Sequence, residues 1–364
     1  IGGDENEGKQ WDANQKIQAF KKTRGIRDNH GLQTYFNKRI LKFLQKNGKI
    51  MMGWDEIFQP DLPKEVVIHS WRGQKALAEA AKQGFTGVLS NGYYIDLMFP
   101  ASQHYVVDPV PADTSLSAEE QKRILGGEAT MWSEWVSPET IDSRIWPRTA
   151  AIAERLWSPR EVNDVEDMYR RLAAVDVHHE ELGLLHRKNQ AMLLRRLAGK
   201  DISALQTLIS VVEPVKEYRR YQARPQTMLS PLTGLIDAAQ ADAEGARKFG
   251  KAVDEILGDI NVPKNLEVIR QMCAEWRDAG RELQAQMESS PALFEAKQLS
   301  SDLQTLGEIG LETISVLETS SGAAAERRET MIKKLDEIAK PKAGLEFRVV
   351  ANLKRLVNRT STKQ

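Results

Sequence analysis

The sequence predicts two fold classes in one chain: α/β over residues 1–159 and all-α over residues 160–364. Three observations carry this division. In the first part, short and continuously apolar runs alternate with helical patterns, as in a parallel sheet covered by helices. Seven of the 8 tryptophans fall there too; the other is Trp276. The texture then shifts at "RLWSPREVND", where Pro159 stops one element and an Ala/Leu/Glu/Lys/Arg/Gln-rich sequence begins. No internal repeat or low-complexity tract is present.

The elements follow in order. "KIMMGW" (Lys49 to Trp54), "EVVIHSW" (Glu65 to Trp71) and "FTGVLSN" (Phe85 to Asn91) read as buried strands, and "RILGGEATMW" (Arg123 to Trp132) begins as another. Between them, "GLQTYFNKRILKFLQKNGK" places Leu32, Phe36, Ile40, Leu41 and Leu44 at helical spacing and stops at Gly48. "GQKALAEAAKQG" is a short Ala-rich helix closed by Gly84. Counting the opening "IGGDE" as a strand end gives about five βα units, and a complete (β/α)8 barrel takes roughly 250 residues, so this region supplies little more than half of one. The second region reads as nearly all helix: "VNDVEDMYRRLAAVDVHHEELG", "ALQTLISVVEPVKEYRRYQ", "LTGLIDAAQADAEGARKFGKAVDEILG", "NLEVIRQMCAEWRDAGRELQAQM", "KQLSSDLQTLGEIGLETISVLET", "RRETMIKKLDEIAK" and "LEFRVVANLKRLVNR". Such lengths suit a helical bundle or an antiparallel array.

The bulk numbers narrow the function. Lys plus Arg and Asp plus Glu are both 51, so the formal net charge is zero. That balance offers no field for gripping DNA, RNA or an anionic membrane, and it suits an uncharged or carbohydrate ligand. The single cysteine, Cys273, allows no intrachain disulfide. No Cys/His cluster has zinc spacing, and neither metal nor cofactor is expected. No apolar run approaches the roughly 18 residues of a membrane helix.

Catalytic side chains of β/α barrels sit where strands end and loops begin. The successive strand ends here present Asp4 and Glu5; Trp54, Asp55 and Glu56; Trp71; Tyr93, Tyr94 and Asp96; and Glu128, Trp132 and Glu134. Core packing would supply Val, Ile and Leu at such positions. Tryptophan faces stack on the apolar faces of sugar rings, and carboxylates accept hydrogen bonds from hydroxyls, so the set points to a carbohydrate site. Each piece alone has a structural alternative. Gly2-Gly3-Asp4-Glu5 is also turn sequence, and a tryptophan after a strand is often core.

"IGGDE", "MMGWDEI", "VIHSWRG", "YYIDLMFP", "ILGGEATMWSEWV" and "RIWPRTAAIAERLWSP" resemble, in order and approximate spacing, the strand-end motifs of family 20 glycoside hydrolases, the β-N-acetylhexosaminidases. The resemblance covers residues 1 to about 159; the helical region adds nothing to it. It implies that residues 1–159 are the C-terminal portion of a (β/α)8 barrel that removes terminal β-linked GlcNAc or GalNAc. Glu5 would be the general acid and then base. Asp4 would orient the substrate's own 2-acetamido group, whose carbonyl oxygen attacks the anomeric carbon with retention and no protein nucleophile. Tyr94 would bond the acetamido carbonyl, Trp54, Trp71 and Trp132 would wall its methyl, and Asp96 and Glu134 would hold hydroxyls around O4 and O6.

Enclosure by aromatics and a neighbouring Asp4 would keep Glu5 protonated. Adjacent strand residues point to opposite faces, so both carboxylates can serve one site only through unusual backbone at Gly2 and Gly3. Supporting roles are expected for Asp55 and Glu56, rim ion pairs for Glu128, Arg148, Glu154 and Arg155, and a core position for His69. Trp11 stacks a further sugar or pins its loop.

The family's histidine just before the position of Ile1, and its substrate-binding arginine and supporting pair, have no match here. A preceding segment of the same barrel is therefore expected as a partner, alongside an amino-sugar glycan, and family habit favours a periplasmic or secreted location. The competing readings are an inactive carbohydrate-binding barrel, and a helical docking or assembly module that could oligomerise beside a vestigial barrel.

Overall fold

The computed structural model describes residues 1–199, 201–223, 226–288, 290–319 and 323–360. Their contacts form two units. Unit 1 comprises Ile1–Tyr94, Ser102–Thr130 and Thr149–Arg170. Unit 2 comprises Ile95–Ala101, Met131–Arg148 and the described residues from Arg171 onward. Two loop segments flanked by barrel-like sequence, 95–101 and 131–148, thus group with the helical residues.

Unit 1 is built on a four-stranded parallel sheet, β1 (Met52–Trp54), β2 (Val67–Ser70), β3 (Thr86–Leu89) and β4 (Ile124–Gly127), in that spatial order. Gly53 pairs with Ile68, Ile68 with Gly87, and the ladder slips one residue at Gly87/Val88 before Leu89 meets Gly127. Helix α1 (Asn29–Lys46) precedes β1 and starts at Asp28, whose carboxylate accepts the Gly31 N–H at 2.7 Å. Helix α2 (Gln74–Lys82) connects β2 to β3 and buries Leu77, Ala80 and Ala81. Leu41, Met51, Ile57, Leu62, Val66, Ile68, Ala80 and Phe85 form one apolar cluster.

The α1 stripe differs from the sequence reading. Gln33, Thr34, Asn37 and Leu41 are its buried positions, while Phe36 is 58% exposed. The i, i+4 set at 33, 37 and 41 faces inward because Gln33 Nε2 reaches the Gly3 carbonyl at 2.7 Å. The opening residues are not a regular strand, yet they run beside β1. The Ile1 amino group donates to the Met52 carbonyl at 2.9 Å, and Trp54 N–H donates to the Gly2 carbonyl at 3.0 Å.

Unit 2 has its own apolar core. Its helices include α3 (His186–Ala198), α4 (Ser203–Ile209), α5 (Glu244–Leu257), α6 (Val262–Gln286), α7 (Lys297–Thr319), α8 (Ala325–Ile338) and α9 (Val350–Arg359). No helix among the described residues is long and apolar enough to cross a membrane. Helices α6 and α7 run antiparallel with their backbones in contact. A Cβ on Gly307 would lie 2.3 Å from the Cys273 carbonyl oxygen, and one on Gly280 would lie 2.6 Å from that of Ser300. Phe249, Trp276, Leu303, Leu306 and Leu353 pack into the core around this pair.

The region is not purely helical, which corrects the sequence reading at two places. "ALQTLISVVEPVKEYRRYQ" holds only α4 before the chain extends into β5 (Val212–Pro214), and "LEFRVV" opens as β6 (Leu345–Phe347). The two strands pair antiparallel, Val212 opposite Phe347. Pro214, which has no N–H to donate, ends the helical run, and buried Glu213 beside it accepts Lys216 Nζ at 2.6 Å and the Ala243 N–H at 3.0 Å. The stretch from residue 232 to 258 is likewise interrupted, a short turn of helix at Leu235–Ala238 preceding α5.

Candidate active site

In unit 1 the turn after β1, Asp55–Ile57, organises the neighbouring strand end. One buried Asp55 oxygen accepts the N–H groups of Trp71 and Arg72, each at 2.8 Å, and the Ser70 hydroxyl at 3.2 Å. Burial raises its pKa, and these hydrogen bonds with the Arg72 charge pull the other way without cancelling it. Glu56 accepts the Trp71 indole N–H at 3.1 Å and an Arg72 guanidinium N–H at 3.1 Å. Trp54 stacks on His69 with ring centres 4.0 Å apart and planes 18° apart. His69 is buried, with Nε2 3.9 Å from a Glu128 oxygen. Burial lowers the imidazole pKa, and the Glu128 and Asp55 charges oppose that.

Gly2 and Gly3 take φ of +68° and +97°, values that only glycine adopts without strain. A Cβ on Gly3 would come 2.5 Å from Ile57 Cγ2, so this segment lies tight against the turn after β1. Asp4 and Glu5 follow beyond the end of β1 from which Asp55 and Glu56 depart. Glu5 itself has φ +48°. Both carboxylates are solvent-exposed, in contrast to the expected enclosure by aromatics; the unit 1 tryptophans Trp54 and Trp71 are instead engaged with His69 and Glu56. Of the two adjacent tyrosines, Tyr93 belongs to the core. It is fully buried, its hydroxyl donates to the Val107 carbonyl at 2.9 Å, and burial raises its pKa. Tyr94 is the half-buried one and bridges to Thr130.

The remaining candidates lie in unit 2. Asp96 sits in the turn Ile95–Leu97. Trp132 is 41% exposed, and Glu134 is exposed. The Asp96 carboxyl is pushed up to about 6, first by burial and further by the Glu134 charge. Its own N–H, that of Trp132 and the Arg148 charge oppose the shift. Asp96 Oδ1 is buried with no hydrogen-bond partner among the described residues. The structure therefore brings Asp4, Glu5, Trp54, Trp71 and Tyr94 into unit 1, and Asp96, Trp132 and Glu134 into unit 2.

Two expected rim ion pairs take another form. Arg155 donates to the carbonyls of Ser158, Pro159, Arg160 and Val162, clamping the loop after its helix rather than a carboxylate. Buried Arg148 donates to the Phe99 carbonyl at 2.8 Å and to that of Arg144, and burial pushes its pKa down to about 10. A buried group in unit 2 escaped the sequence reading: Asp237 accepts Arg220 at 2.7 Å, has Arg144 at 3.7 Å, and Arg220 lies 4.3 Å over the Trp135 ring. Arg144 and Asp237 are 93 positions apart, so no local pattern announces them.

The chain is similar to several known proteins. Residues 1–160 match the model of the glycosyl hydrolase family 20 catalytic domain. "Beta-hexosaminidase subunit beta" of Rattus norvegicus is 36% identical over 183 residues, covering 48% of this chain and 34% of that protein. "Beta-hexosaminidase" of Porphyromonas gingivalis is 34% identical over 190 residues, covering 47% of this chain and 24% of that protein. The chain thus spans about a third or less of the curated relatives it matches. The X-ray structure of Flavobacterium johnsoniae chitobiase superposes with a TM-score of 0.90 at 42% identity. That match covers 98% of this chain and 55% of the chitobiase chain, so it includes the helical region that offered no resemblance by sequence. Residues 1–160 are thus similar to the catalytic domain of glycosyl hydrolase family 20, and the likeness in fold to a solved chitobiase runs over nearly the whole chain.

Proposed function

We propose that this chain is part of an exo-β-N-acetylhexosaminidase that hydrolyses terminal non-reducing β-linked GlcNAc or GalNAc. In this reading residues 1–159 form the C-terminal portion of a (β/α)8 catalytic barrel, and residues 160–364 a mainly helical domain. The supporting observation is that the Asp4–Glu5 pair, Trp54 and Trp71 all leave the same end of one parallel sheet, the end where barrel enzymes do their chemistry. The positive φ values at Gly2, Gly3 and Glu5 supply the irregular backbone that adjacent carboxylates need in order to share a site.

The chemistry follows from charge. A neutral amide is a weak nucleophile that gains positive charge as its oxygen closes on the anomeric carbon. Asp4, accepting the amide N–H, stabilises that charge as it develops. Glu5 donates its proton to the departing glycosidic oxygen, then takes one from the water that opens the oxazolinium intermediate. Tyr94 donates to the acetamido carbonyl. Trp54, Trp71 and Trp132 surround the methyl, and Asp96 and Glu134 accept from ring hydroxyls.

The test is hydrolysis of 4-nitrophenyl N-acetyl-β-glucosaminide and its galacto epimer, with the anomer of the first product read by NMR. Release of the β anomer, abolished in Glu5→Gln, is expected. No turnover by the protein carrying this chain, or release of the α anomer, overturns the reading.

A further inference from the structure

Two adjacent carboxylates after β1 divide the restraint of one tryptophan between them. Asp55 holds the Trp71 main chain through its N–H. Glu56 holds the ring through the indole N–H at 3.1 Å. The Glu56 side chain is only 11% exposed, and its other oxygen is taken by Arg72, itself 52% exposed. The Arg72 guanidinium in turn lies 5.7 Å over the Trp71 ring, within cation–π range. An indole at a strand end with its main chain fixed still turns about two side-chain bonds. A charge-assisted hydrogen bond to its only N–H removes that freedom. Glu56 is therefore more than a loop acid: it sets the plane in which the Trp71 ring stands.

We infer that Glu56 is a positioning residue that fixes the Trp71 indole and thereby sets how large an acyl group the site accepts on the 2-amino nitrogen. This rests on the reading of Trp71 as a wall of the acetamido pocket. A wall held in one plane admits a methyl and excludes longer chains. A wall free to swing loses that discrimination, and it also loses its hold on the attacking carbonyl.

The experiment compares 4-nitrophenyl β-glucosaminides carrying N-acetyl, N-propionyl and N-butyryl groups in the wild type, Glu56→Gln and Glu56→Ala. In Glu56→Ala, kcat/KM for the N-acetyl substrate falls about tenfold, the size expected for a lost charged hydrogen bond. The preference for N-acetyl over N-butyryl falls by about threefold or more, since packing against one or two methylenes carries that selectivity. Glu56→Gln, which keeps an acceptor for the indole, lies between. An equal loss across all three substrates, or unchanged selectivity, overturns the inference.

A second readout needs no turnover. Acrylamide quenching of the Trp71 emission, isolated by subtracting the matching Trp71→Phe protein, increases in Glu56→Ala; unchanged quenching also overturns the inference. Should the wild type hydrolyse none of the three glycosides, the hexosaminidase reading fails by itself, and the quenching alone decides whether Glu56 holds the ring.

Discussion

Unit 1 and unit 2 spend their side chains in opposite ways. In unit 1 the strands are three or four residues long, and the telling residues lie just beyond them, held by carboxylate hydrogen bonds such as those of Asp55 and Glu56. In unit 2 the telling residues lie within long helices, where leucines fill a core and glycines let α6 and α7 touch. A strand-end polar side chain can be altered with little loss of buried apolar area. A helix-interior leucine cannot. The contrast predicts that chemistry and stability respond to different substitutions.

The largest expected effect tests the first half of the contrast. Glu5→Gln lowers kcat on the chromogenic glycoside by about 10²–10⁴-fold, the range for a general acid. Because Glu5 is exposed, the melting temperature stays within about 2 °C. A large drop in melting temperature would erase the distinction between the units. The converse test is Leu306→Ala. This fully buried side chain leaves a cavity that costs about 2–5 kcal/mol in denaturant unfolding, while kcat per folded molecule is unchanged.

Gly307→Ala sharpens the same half. Helix propensity alone would favour alanine by about 1 kcal/mol. The Cβ would meet the Cys273 carbonyl at 2.3 Å, so the net result is destabilisation of about 1–3 kcal/mol. A gain in stability would show that α6 and α7 separate freely.

Asp96 tests the contrast from within unit 2, where the proposed function gives a polar turn residue the role of accepting from a substrate hydroxyl. Its carboxyl titrates at about 6 in the folded protein against an ordinary value of 3.8. Below that pH it is protonated and loses its acceptor role, so KM rises as pH falls through about 6, a limb that Asp96→Asn removes. The linkage sign is the reverse for stability. The folded state retains a proton that the unfolded state has released, so stability falls as pH climbs from about 4 to about 6, and Asp96→Asn flattens that slope as well.

The smallest effect concerns Cys273, whose thiol burial pushes up to about 12. The native protein should not react with a thiol-specific disulfide reagent, and reactivity should appear only with unfolding.

How legible each unit was follows from these differences. The four strands and both helices α1 and α2 were visible because apolar runs and glycine stops are local signals. The candidate residues could be nominated from sequence because they fall in short motifs. The inward face of α1 was misread, since buried Gln33 and Asn37 are polar and what draws Gln33 inward is a carbonyl on Gly3, 30 positions away. In unit 2 the helices showed by periodicity, but β5 and β6 did not. Three residues are too few for alternation to register, and Leu208-Ile209 into Val211-Val212 reads as a continued helix up to Pro214, while the Ala243 partner of Glu213 lies 30 positions away. Arg144, Arg220 and Asp237 come together only through the tertiary fold.

The Asp55 contacts bear on how such a site can be rebuilt. One carboxylate oxygen, on the residue that opens the loop after β1, receives the first two amides beyond β2, so the two loops share a single anchor. Exchanging the loop after β1 alone would strand both amides without an acceptor, at about 1–3 kcal/mol for each left buried. For loop grafting, the interchangeable part is the pair of loops taken together with Ser70, and variants of the first loop that lack a carboxylate at position 55 will be destabilised.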